Sequence, residues 1–184
     1  MSDTIGFYAL LQTQDGKGHL GALLVTDDLG KPTEFRVTYP VKPTLLQKQL
    51  YGDSMVPHIG IELCGKTLYQ ALKVKPLLLL ISDTRFLPLS ASVTSLVVHV
   101  ERLGETLKVA GSSDVKSQPS AKLQSSSGRF QPLAATYPVG YDDQRQAEVI
   151  ALLNRFFTGV DLLEPFTRID AAAKALAAQD EKFR

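Results

Sequence analysis

Tryptophan is absent from this 184-residue chain, methionine occurs twice and cysteine once. The lone thiol, Cys64, excludes an internal disulfide and an all-cysteine zinc site. No apolar run approaches the ~20 residues that cross a bilayer, and the longest, Leu77 to Ile81, has the length of a buried strand. An excess of one charge is also missing. Twenty Lys and Arg face nineteen Asp and Glu, for a net charge of +1. That balance excludes a histone-like basic protein and an acidic tail protein. Met1-Ser2-Asp3-Thr4 is neither basic nor followed by an apolar signal core, so no export signal and no membrane association are expected, and the expected setting is cytoplasmic.

What remains is ordinary globular material, 44% hydrophobic and 21% charged, consistent with one domain over 1–184. Ile5 to Thr13 and Gly18 to Thr26 read as strands joined by Gln14-Asp15-Gly16-Lys17, where Asp-Gly signals a hairpin. Glu34 to Tyr39 alternates apolar and polar residues and supplies a third strand after the turn at Asp27 to Pro32. Thr44-Leu45-Leu46-Gln47 has the spacing of a capping box and predicts a helix start. A broken helical region follows to Cys64, then a further helical piece from Thr67 to Lys73. Leu77 to Ile81 is apolar on both faces, the mark of a covered central strand ending at Ser82-Asp83.

Val93 to Glu101 and Glu105 to Ala110 predict another strand pair, and Arg129 to Val139 a further extended segment. Between them, 111–128 holds seven serines and little apolar content, and is expected to be a flexible loop. Two C-terminal helices complete the chain. One is capped by Asp142 or Asp143, with Val149, Leu153, Phe156 and Phe157 on its stripe; the other runs through Ile169, Ala173 and Leu176. The predicted fold is α+β, with mixed α/β as its alternative: a largely antiparallel sheet, one buried central strand and two C-terminal helices.

The groups able to carry chemistry are scattered. His19, His58 and His99 have no short mutual spacing, and Cys64 reads as a small buried hydrophobe. The segment Gly60-Ile61-Glu62-Leu63-Cys64-Gly65-Lys66-Thr67 satisfies G-x-x-x-x-G-K-[ST]. A nucleotide site would use Gly60, Gly65, Lys66 and Thr67, with backbone N–H groups cradling phosphates. Its interior is bulky, apolar and acidic, and the preceding residues make a poor strand.

Three antiparallel strands, a helical region and a buried strand ending in Asp83 form a layout similar to that of ribonuclease H-like nucleases. The resemblance implies a metal-dependent phosphodiesterase holding Mg or Mn on carboxylates of the first strand, the helix and the fourth strand, with Glu62 and Asp83 as two of them. The chain departs from it on the first strand, since Ile5 to Thr13 has no acid.

Residues 31–75 hold seven cations against Glu34, Asp53 and Glu62. Arg36, Tyr39, Lys42, Lys48 and Tyr51 could form a basic, aromatic face for phosphates and stacked bases. With no complete catalytic constellation, the sequence favours a non-catalytic binding or assembly subunit without a cofactor. Its expected partner is another protein, with nucleic acid as a second ligand of the basic face. The phosphodiesterase and the nucleotide-binding protein stand as the alternatives.

Overall fold

A computed structural model describes residues 3–103 and 120–184. Among the described residues, seven strands, β1 (Ile5–Gln12), β2 (His19–Thr26), β3 (Pro32–Val37), β4 (Leu78–Ile81), β5 (Leu96–Arg102), β6 (Ser120–Leu123) and β7 (Leu133–Thr136), form one sheet in the order β3-β2-β1-β4-β5-β7-β6. The pairings are antiparallel except for β1 with β4 and β4 with β5, which are parallel. The fold is α+β with a mostly antiparallel sheet, as the sequence implied.

The opening meander follows from its turn chemistry. Gly16 takes a positive φ of 67° in the β1–β2 hairpin, a conformation that costs glycine least. At the β2–β3 turn, the Asp27 carboxylate accepts the backbone N–H groups of Leu29 and Lys31. The predicted capping box is present: Thr44 Oγ1 accepts from Gln47 N, and Gln47 Oε1 accepts from Thr44 N. It starts α1 (Leu45–Tyr51), none of whose residues is buried.

β4 is the hinge of the architecture. Its four side chains are fully covered and alternate between two cores. Leu78 and Leu80 join Ile5, Phe7, Val98, Leu153, Phe156 and Ile169 under the C-terminal helices α4 (Asp143–Phe157) and α5 (Glu164–Gln179). Leu79 and Ile81 face the other way, with Tyr8, Leu23, Ile59, Leu68 and Phe86. That second layer consists of α2 (Met55–His58), a π-helical turn over Ile59–Gly65, α3 (Lys66–Ala71) and a 3-10 segment over Thr84–Ala91.

The expected strand Glu105 to Ala110 and the part of the serine-rich loop at 111–119 lie outside the described residues. From residue 120 onward that loop gives way to structure, because Ser120–Leu123 pairs with β7 and Leu123 is buried in the core. Among the described residues, no helix is long and apolar enough to cross a membrane.

Candidate functional site at the carboxyl ends of β1 and β4

Parallel strands leave a crevice beyond their carboxyl ends, and open sheets place ligands there. In this chain a cleft of about 400 Å³ opens where β1 and β4 end, lined by Gln12, His19, Ser82, Asp83, Arg85 and Phe86 among others. Ser82 N donates to Tyr8 O at 3.0 Å, so the pairing of Tyr8 with Ile81 runs on to the mouth of the cleft. His19, at the start of β2, exchanges both backbone hydrogen bonds with Val41, at 2.9 and 2.7 Å. That bridge holds the segment leading into α1 beside the cleft, so that Lys48 lies close enough to bear on the His19 imidazole.

The electrostatics are dominated by Asp83 and Arg85. Asp83 caps the 3-10 segment by accepting from Arg85 N at 2.8 Å. The Arg85 side chain wraps back onto the same carboxylate: Nε donates to both oxygens at 3.0 Å and Nη2 donates to Oδ2 at 2.6 Å. Burial pushes the Asp83 carboxyl up, but the Arg85 hydrogen bonds outweigh it and hold the group below the usual carboxylate range. His19 is half-buried. Burial first, then the positive charges of Lys48 and Arg85, lowers its pKa and keeps the ring neutral. Buried His99 of β5 is level with Ile81, and its Nδ1 has no partner among the described residues. Burial lowers its pKa as well, against the pull of Glu101 and Asp83.

The nucleotide-binding alternative is corrected by the backbone. Gly60 and Gly65 lie in continuous helix, so their N–H groups do not form a loop open to phosphate. Both glycines serve packing. A Cβ at Gly60 would stand 2.2 Å from the Phe86 ring, and one at Gly65 would stand 2.6 Å from the Gly60 carbonyl oxygen. Lys66 is paired with Glu62 at 2.6 Å, and Thr67 is exposed on α3.

The basic face is largely committed to internal contacts. Arg36, on edge strand β3, pairs with Glu34 at 2.7 Å, and Lys42 pairs with Asp15 at 2.9 Å. Tyr39 stacks on Phe183 with centroids 5.1 Å apart, and Tyr51 lies 4.9 Å from the His58 ring. Lys48 alone of these cations has no ion pair among the described residues. The sequence did not single out Gln12 or Arg85, and it treated His19 as a strand histidine. The three share a cleft only because β1, β2 and the turn after β4 meet there.

No protein-family model matches the sequence, and no curated protein matches it. The fold, by contrast, has clear counterparts. The chain superposes over 97% of its length on the crystal structure of endonuclease V from Bacillus subtilis, covering 84% of that chain, with a TM-score of 0.57 and 10% identity. Endonuclease V from Streptomyces avermitilis gives the same TM-score with 14% identity, over 97% of this chain and 82% of that one. The Ciona intestinalis enzyme, in complex with a DNA containing an inosine followed by a ribo-adenosine, gives 0.55 with 13% identity, over 97% and 88%. At such identities the likeness establishes the fold.

This finding corrects two expectations. The reading as a non-catalytic assembly subunit is overturned as the favoured one, because the structures sharing this fold are endonucleases by name, which agrees better with the phosphodiesterase alternative. The expectation of no cofactor falls with it, since the ribonuclease H-like layout implies Mg or Mn. The described residues, however, do not fit the carboxylate set of that layout. β1 carries no acid, and the β1 residues that line the cleft with Asp83 are Ala9, Leu10, Leu11 and Gln12. Glu62 is exposed and bonded to Lys66. No group of three or more His, Cys, Asp or Glu able to hold a metal ion occurs among the described residues.

Proposed function

We propose that the chain acts on nucleic acid as a ribonuclease H-like phosphodiesterase, with one strand lying across the carboxyl ends of β1 and β4. The observation that carries this reading is the superposition of 97% of the chain on endonuclease V, with a cleft where the parallel strands end that sets Gln12, His19, Ser82, Asp83 and Arg85 among apolar walls. Arg85 and Lys48 supply positive charge for the sugar–phosphate backbone. The neutral His19 ring can accept a proton, and Gln12 can donate a hydrogen bond to a phosphate or base. The reading assigns no step to a metal and needs no protein partner. It puts the chain among cytoplasmic nucleic-acid enzymes.

The test is cleavage of an end-labelled single strand carrying an inosine followed by a ribo-adenosine, in Mg²⁺, in Mn²⁺ and in EDTA. The wild-type chain is expected to cut it. His19→Ala should slow cutting by roughly 100-fold, the lower range for a lost general acid or base, and Asp83→Asn should also impair it. An intact strand under all three conditions, with folded protein, overturns the reading.

A further inference from the structure

The carboxylate at the end of β4 already holds a cation, and that cation belongs to the protein. Arg85 gives Nε, Nη2 and its own backbone N–H to Asp83. Its Nη1 has no hydrogen-bond partner among the described residues, and 54% of the side chain is exposed. Guanidinium is a planar fork, and committing one edge to a carboxylate leaves the remaining N–H groups fixed in direction. The brace is itself rigid, because Asp83 caps a 3-10 segment whose Phe86 is buried against Gly60. His19 lines the same cleft and feels the positive charges of both Lys48 and Arg85, and β1 carries no second acid to compete for the cation.

Resting on the phosphodiesterase reading, we propose that Arg85, braced by Asp83, is the phosphate clamp of this cleft and captures a nucleic-acid strand without a metal bridge. Its guanidinium takes the electrostatic place that a divalent ion has in the ribonuclease H-like layout. Asp83 is then a positioning residue for Arg85, and the ligand class is a phosphodiester strand.

Fluorescence anisotropy of a labelled single-stranded oligonucleotide with the full chain tests this, first in EDTA and then in Mg²⁺. Binding is expected in both buffers with equal affinity. Arg85→Ala should weaken it about tenfold and lower the slope of log affinity against log salt by about 0.7, the contribution of one phosphate contact on a single strand. Arg85→Lys should recover part of the affinity, because it restores charge without the fork. Asp83→Asn, verified as folded by circular dichroism, should weaken binding by a smaller factor and leave the salt slope unchanged.

Binding that requires Mg²⁺, or that is indifferent to Arg85→Ala, overturns the clamp and leaves the phosphodiesterase reading standing. Tighter binding by Asp83→Asn overturns the brace. A chain that binds no strand in either buffer removes the phosphodiesterase reading and the clamp together.

Discussion

The hydroxyl of Tyr8, in the middle of β1, donates to the carbonyl oxygen of Gly60 across a 2.6 Å hydrogen bond that is fully buried. It ties the central sheet to the π-helical turn on one face, at the β1 position level with Ile81. Burial, and then the neighbouring Cys64, pushes the Tyr8 pKa far up, so the donor keeps its proton. Tyr8→Phe keeps the ring and removes this bond, leaving Gly60 O with its helical environment. It should cost about 0.5–1.5 kcal/mol, the net worth of one buried hydrogen bond, read from the urea midpoint with an unchanged m-value.

Gly60 also separates the packing role of its segment from a phosphate-binding role. With the Phe86 ring 2.2 Å from where a Cβ would stand, Gly60→Ala overpacks the second core and should cost about 1–3 kcal/mol or more. Lys66→Ala, which removes only a partly exposed pair with Glu62, should cost less than about 1 kcal/mol. Thermal melts of the two variants provide the comparison. Near-equal destabilisation by both would contradict the packing account.

α1 depends on its cap to an unusual degree. No residue of the helix is buried, and a short helix without a packed face is marginal in water. Thr44→Ala removes the capping box at a cost of about 1 kcal/mol. That loss should appear as faster amide hydrogen exchange within Leu45–Tyr51, with little change in the global melting temperature.

Acid should weaken the fold through its histidines. Burial lowers the pKa of both His19 and His99 below the ordinary value, so the unfolded chain takes up protons on them before the folded chain does. Their contribution is fully present above the unfolded histidine pKa of about 6.5. It is lost progressively as pH falls below that value toward the depressed folded ones. Chemical denaturation between pH 7 and pH 5 should show falling stability, with a shallower slope in His99→Gln.

Much of the architecture is legible in the linear chain, because local rules specify it. Asp-Gly makes the first hairpin, Thr44 and Gln47 start α1, Asp142 caps α4 by accepting from Arg145 N, and an unbroken apolar run puts β4 at the centre of the sheet. Pattern misleads where spacing along the chain is taken for shape. G-x-x-x-x-G-K-T reads as a phosphate loop, yet its glycines are small because Phe86 and a helical carbonyl press on them. Arg36 and Lys42 read as free charge, yet Glu34 and Asp15 take them.

Periodicity, turn residues and caps act over a few neighbouring positions, and they were enough to determine the opening meander, the two C-terminal helices and the two faces of β4, while β6 falls in a stretch whose composition reads as a loop. The cleft came only with the tertiary structure. Gln12 and His19 flank a hairpin, while Asp83 and Arg85 follow a strand some sixty residues later. They meet because β4 inserts parallel to β1 and brings Ile81, its last residue, level with Tyr8. Strand order depends on long-range burial of both faces of β4, and short-range spacing does not encode it.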